Sequence, residues 1–123
     1  MRGQRLFVRP IEGSDRPEVV EFLKTYTDTA EAPAWGLLGK LVGRLVAVVA
    51  MEITSDAVRI DDIVVAGDLR RKWIGRAMLR EAAELARKID KPQLLVTDAR
   101  GADEFLRRVG FEQDGAQWTR RVG

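Results

Sequence analysis

The residues best placed to do chemistry lie between Ile60 and Ile89, where I-D-D-I-V-V-A-G-D-L-R-R-K-W-I-G-R-A-M-L runs into R-E-A-A-E-L-A-R-K-I. The stretch reads as a strand, a basic turn carrying Arg70, Arg71, Lys72 and Gly75, and a long amphipathic helix. The first amides of a helix have no partner within it and the helix dipole is positive there, so an anion is stabilised. A basic turn that opens straight into a helix is therefore a place to hold a phosphate. The chain also contains no Cys and no His. That excludes a thiol nucleophile, a Ser-His triad and a zinc site ligated by His or Cys. Charge points to the same turn. Residues 1–69 carry 8 basic and 11 acidic side chains and residues 70–123 carry 13 and 8, within a net charge of only +2. The basic part begins at Arg70, and such a field attracts a polyanionic ligand.

The elements that must position this turn follow from spacing. A length of 123 residues predicts one domain over residues 1–123, and 46% hydrophobic with 33% charged residues argues for a globular chain over a disordered one. The longest apolar run, Leu45 to Met51, falls far short of the roughly 20 residues of a membrane span, and the N-terminus lacks the apolar core of a signal peptide. The expectation is a cytoplasmic protein with no membrane partner. Arg5 to Pro10 alternates as a short strand. Ser14 or Asp15 then caps a helix with Pro17 in its first turn and an apolar face through Thr25. Trp35 to Leu41 and Arg44 to Thr54 read as strands joined by a hairpin turn at Val42-Gly43, with a further strand from Ala57 to Val65. Ile74, Ala77, Met78, Ala82, Leu85 and Ile89 recur on one face of a helix. Gln93 to Thr97 is a buried-type strand, and Ala102 to Val109 a short helix stopped by Gly110. A closing hairpin turns at Asp114-Gly115.

With this order, two segments resemble the GNAT superfamily of N-acetyltransferases, and the likeness covers nearly the whole chain. One is the strand, turn and helix from Ile60 to Leu79, similar to the family's [Q/R]-x-x-G-x-[G/A] turn. The other is F-L-R-R-V-G-F at Phe105 to Phe111, similar to F-Y-x-x-x-G-F. The resemblance implies an α/β fold of the α+β type, with a mixed, mostly antiparallel sheet of six to seven strands flanked by about three helices. It implies acetyl-coenzyme A as co-substrate and a small-molecule or peptide amine as acceptor. Ile63, Val64 and Val65 would align the pantetheine. Arg70, Arg71, Lys72, Trp73, Ile74, Gly75 and Arg76 would hold the pyrophosphate, since coenzyme A brings about four negative charges to a helix start and an Arg/Lys cluster. Nucleic acid is disfavoured, because the overall charge is nearly balanced and no nucleic-acid motif is present.

Three positions depart from the family pattern. Trp73 stands where the turn has its first glycine, and its ring either packs against neighbours or borders the bound cofactor. Leu106 stands where many members place a tyrosine that protonates the departing thiolate. A thiol with a pKa near 8.5 is a tolerable leaving group without that help. Tyr26 is the remaining candidate acid. An ammonium must lose a proton before it attacks, and the candidate bases are Glu52, Asp61, Asp62 and Asp98, with Asp62 and Glu52 preferred. Strand alternation predicts that Asp61 and Asp62 point to opposite faces, so that only one meets the acceptor. Finally, about nine residues between the first helix and Pro33 leave no room for a full second helix. The acceptor side is then open, or completed by a second subunit in a homodimer. A catalytically weak or inactive coenzyme A sensor is the alternative reading.

Overall fold

The computed structural model describes residues 5–28, 31–69 and 73–122. The elements are β1 (Leu6–Pro10), α1 (Arg16–Tyr26), β2 (Gly36–Leu41), β3 (Arg44–Ile53), β4 (Val58–Val65), α2 (Ile74–Lys88), β5 (Gln93–Val96), α3 (Asp103–Arg108), β6 (Glu112–Asp114) and β7 (Gln117–Arg121). Among the described residues seven strands form one sheet in the order β1-β2-β3-β4-β5-β7-β6, antiparallel throughout except for β4 and β5. This is the mixed, mostly antiparallel sheet with three helices that the resemblance implied. None of the described helices is long and apolar enough to cross a membrane.

The β2–β3 hairpin turns where the sequence places it. Val42 and Gly43 both have positive φ (48° and 79°), the backbone of a primed turn whose twist matches the strands. The start of α1 differs from expectation. Asp15 occupies the N-cap position but makes no side-chain cap. Its carboxylate turns back instead, accepting charge-assisted hydrogen bonds from Arg9 Nη1 and Nη2 (2.7 and 2.8 Å) and one from the Glu12 N–H (2.8 Å). Arg9, and after it the Glu12 amide, hold the Asp15 carboxyl down at about 2.

The two faces of the sheet carry separate cores. Ile74, Ala77, Met78, Leu79, Ala82 and Ala86 of α2 are buried on one face with Val49, Ile60, Leu94 and Trp118. Leu85 and Ile89, expected on the same stripe, sit at its margin. Gly39 lets α2 lie close to β2, since a Cβ there would be 2.8 Å from Met78 Sδ. On the other face, Val19, Phe22 and Leu23 of α1 cover Leu38, Leu45, Val48 and Val64.

Two irregularities shape the middle of the sheet. The β3–β4 register passes from Ala50↔Asp62 to Met51↔Ile60, which leaves Asp61 as the extra residue of a bulge. One inserted residue exchanges the faces. Val58 and Ile60 belong to the α2 core, but so do Ile63 and Val65, while Val64 belongs to the α1 core. The second irregularity is a parting of strands. β4 and β5 pair only at Val58↔Leu94 and Arg59↔Leu95, and β5 ends at Val96 while β4 continues to Val65.

Candidate functional site

Where β5 leaves β4, a cleft of about 700 Å³ opens. One side is β4 from Ile60 to Ile63 with Val65. The end nearest α2 is formed by Leu69, Trp73, Gly75 and Arg76, and the far wall by the 98–102 loop and α3. Ile63 and Val65 therefore face the cleft, and the edge of β4 beyond Arg59 is unpaired there among the described residues. Val64, grouped with them from sequence, has its side chain in the α1 core, because the bulge fixes the alternation. The Ile74 side chain is likewise buried in the α2 core rather than in the cleft, so only its amide belongs to the turn. Arg70, Arg71 and Lys72 lie outside the described residues.

Among the described residues the first turn of α2 keeps donors without an acceptor. The first intrahelical bond there is the Ala77 N–H to the Trp73 carbonyl (3.0 Å), and no described side chain caps the helix. The amides of Ile74, Gly75 and Arg76 precede that bond and belong to the class of helix-start donors that lack internal acceptors. Trp73 has ordinary helical-side dihedrals (φ −78°, ψ −1°), so the glycine of the family pattern is not required by the backbone. Its indole is 48% exposed on the cleft rim. Gly75 lies against α3, where a Cβ would be 3.3 Å from Phe105 Cζ. Leu106 is 3% exposed and forms part of the cleft wall, an apolar group with no proton to give. Tyr26 packs on Phe22 (ring centroids 5.0 Å apart) and beside Gly67, and lines neither this cleft nor the cavity described next.

On the α1 side a smaller cavity of about 370 Å³ is bounded by Leu23, residues 31–34, β3 from Val48 to Glu52, and β4. Asp61, Asp62 and Arg100 border both cavities, which adjoin at these residues. Strict alternation would put Asp61 and Asp62 on opposite faces, but both border the smaller cavity, because the bulge at Asp61 breaks that alternation. Glu52 lines the smaller cavity and Asp98 the larger. Arg59 ties down two of these carboxylates. Its Nε donates to Asp61 Oδ1 (2.6 Å) and its Nη2 donates to Glu52 Oε1. The Asp61 hydrogen bond raises the Arg59 pKa. Asp62 is left to Arg100 (Nη1 to Oδ2, 3.6 Å), beyond hydrogen-bond distance. Sequence reasoning missed Arg100. Its one signal was the following Gly101, since both residues have positive φ (51° and 85°) in a turn that throws the guanidinium toward β4.

Residues 31–113 match a family model described as Acetyltransferase (GNAT) domain. No curated protein matches the chain at a significant level. Solved structures of the same fold include a GNAT family N-acetyltransferase from Escherichia coli in complex with CoA, with TM-score 0.79 and 14% identity over 100% of this chain and 84% of that one. The ribosomal-protein-S18-alanine N-acetyltransferase from Escherichia coli superposes with TM-score 0.78 and 14% identity, covering 97% and 95%. A GNAT family acetyltransferase from Streptococcus pneumoniae gives TM-score 0.77 and 18% identity, covering 97% and 100%.

Proposed function

The chain belongs to the GNAT acetyltransferase family, and we propose that it acts as a single domain that moves an acetyl group from acetyl-coenzyme A to a primary amine by direct attack in a ternary complex. The observation that carries this reading is the meeting of two cavities at Asp61, Asp62 and Arg100. The larger cavity begins at a helix start and has Arg76, Arg100 and Arg108 to offset its aspartates, whereas the smaller has Glu31, Glu52, Asp61 and Asp62 against Arg100, so an anionic donor and a cationic acceptor can meet where they adjoin.

Each residue has a part in this reading. The amides of Ile74, Gly75 and Arg76 bind pyrophosphate oxygens, with the charge of Arg70, Arg71 and Lys72 adding attraction. The unpaired edge of β4 at Ile63 to Val65 receives the pantetheine amides, and the parted strands let the thioester reach Asp62. Asp62 takes a proton from the acceptor ammonium, directly or through water, with Glu52 as the second base. The nitrogen lone pair then forms the C–N bond at the thioester carbon. The tetrahedral intermediate gives its second nitrogen proton to water and collapses with cleavage of the C–S bond, and the thiolate takes its proton from water. No covalent acetyl-enzyme is needed. Most of the acceleration comes from bringing donor and acceptor into one passage.

Isothermal titration with acetyl-coenzyme A, followed by thiol release across a panel of amines, tests the reading. Binding with amine-dependent release is expected, and no binding at millimolar ligand would sink it. Leu106 favours one competing reading, a coenzyme A sensor, because the wall of the cleft has a buried leucine where a proton donor would speed thiolate departure. Tight binding with release equal to the enzyme-free rate on every amine would select the sensor.

A further inference from the structure

We propose that Arg100 determines which acceptor enters: its guanidinium stands beside Asp62 as a place-holder, and a cationic acceptor displaces it. The inference rests on the acetyl-transfer reading and names the acceptor class for the same passage. That class is an amine carried on a cationic molecule without a carboxylate next to the reacting nitrogen.

The argument starts from the contrast between two arginines. Arg59 is held by hydrogen bonds to Asp61 and Glu52. Arg100 has a fixed root and a loose head. Its own N–H donates to Asp98 Oδ1 (3.0 Å), and the Ala102 N–H closes the turn on the Ala99 carbonyl (2.9 Å). A non-glycine residue in the left-handed region is uncommon, and the turn holds Arg100 there at φ 51°. The guanidinium, in contrast, makes no hydrogen bond among the described residues. It lies 3.6 Å from Asp62 Oδ2 and 3.9 Å from Asp98 Oδ2, and its side chain is 63% exposed. An exposed pair at these distances contributes little and breaks readily.

The surroundings decide what replaces it. Glu31, Glu52, Asp61 and Asp62 border the smaller cavity, and Arg100 is the cation that borders it. With Glu52 and Asp61 neutralised in part by Arg59, Asp62 is the carboxylate whose counter-ion can be exchanged at small cost. An ammonium entering from the smaller cavity meets Asp62 where the guanidinium now stands, and it gains a hydrogen bond that Arg100 does not make. A carboxylate gains no such exchange, since its attraction to Arg100 is opposed by Asp61, Asp62 and Asp98 around that guanidinium.

The test is titration of the 13C-labelled full chain, at low salt, with butane-1,4-diamine and separately with butanoate, following the Asp62 side-chain carboxyl carbon. The diamine is expected to shift that signal and butanoate to leave it unmoved. Arg100→Gln is expected to bind the diamine about fivefold more tightly, and Arg100→Lys, which keeps the charge, within about twofold of the parent. In an Asp62→Asn background the gain from Arg100→Gln should vanish, since the two residues are then uncoupled. Unchanged or weaker diamine binding in Arg100→Gln overturns the proposal. So does a gain that persists without Asp62. A butanoate response lost in Arg100→Gln also overturns it and makes Arg100 a carboxylate clamp instead. Acetyl-coenzyme A binding, measured by calorimetry on the same samples, separates the two levels: its failure removes the transfer reading, whereas failure of the diamine arm leaves that reading standing.

Discussion

The two cavities that meet at Asp62 are built from different materials. The larger adds backbone to its side chains: a helix start with no side-chain cap among the described residues and the unpaired edge of β4, beside the apolar wall of Phe105 and Leu106 and the charged Arg76, Asp98 and Arg108. The smaller is lined mostly by apolar residues such as Leu23, Pro33, Val48 and Met51, among which the side chains of Glu31, Glu52, Asp61, Asp62 and Arg100 supply the charge. Backbone donors follow from the fold itself, so donor recognition survives wide changes in sequence. Charged side chains can be exchanged one at a time without disturbing the sheet. In the proposed reading, this difference lets one architecture keep its donor while its acceptor changes.

The comparison breaks most sharply at Asp62. Asp62→Asn removes the base and leaves the helix start untouched, so kcat/KM for the best amine of a panel should fall about 100-fold. The Kd for acetyl-coenzyme A, measured by calorimetry, should stay within about twofold. A loss under threefold would transfer the role to Glu52, and a parallel loss of acetyl-coenzyme A binding would show that the two cavities are not separable. The next largest effect is the converse. In Gly75→Val the added Cβ meets the Phe105 ring at 3.3 Å, and the branched methyls press on α3 or tilt the first turn of α2. Acetyl-coenzyme A should then bind about tenfold more weakly, while the butane-1,4-diamine response at Asp62 is unchanged.

A smaller effect sharpens the comparison through stability. Asp15 anchors the start of α1, and Leu23 of that helix walls only the smaller cavity. Its folded pKa is about 2, below the ordinary value of an unfolded aspartate, so its contribution is present above pH 4 and disappears as pH falls through 2. Arg9 is partly exposed, which lowers that contribution to about 1–2 kcal/mol near neutral pH. Denaturant unfolding of parent and Asp15→Asn should differ by this amount at pH 7 and converge below pH 2. A constant difference across the range would mean that the gain is not electrostatic.

These elements were legible to very different degrees. The hairpin at Val42-Gly43, the stop at Gly110 and the α2 stripe are local signals, set by φ requirements and by a 3.6-residue period within one segment. The bulge at Asp61 was not legible, because one extra residue in an eight-residue strand alters the alternation without any special residue type to mark it. It nevertheless decides that both aspartates border the smaller cavity and that Val64 leaves the cleft. The departure of β5 after two paired residues has no marker residue in either strand. Arg100 was passed over because its position depends on that departure and on a left-handed backbone that few arginines adopt. The helix and its hairpin neighbours were thus readable from pattern, and the arrangement around Asp61, Asp62 and Arg100 required three dimensions.

The smallest expected effect is spectroscopic, and it isolates the larger cavity alone. Three tryptophans occupy three environments. Trp118 is sealed in the α2 core, with Arg107 stacked 5.2 Å from its ring, and no ligand reaches it. Trp35 is partly buried against the same core, and its carbonyl accepts the Met51 N–H, so it belongs to the β2–β3 region. Trp73 is half exposed at the rim where α2 begins. Acetyl-coenzyme A should therefore change the emission through Trp73. Trp73→Phe should remove most of that change and weaken binding by no more than about threefold, since phenylalanine keeps an aromatic face and the helix dihedrals suit any residue. Butane-1,4-diamine should leave the parent emission constant. An emission change caused by the diamine would mean that the passage transmits acceptor binding to the donor side, and the two cavities would then have to be treated as one coupled site.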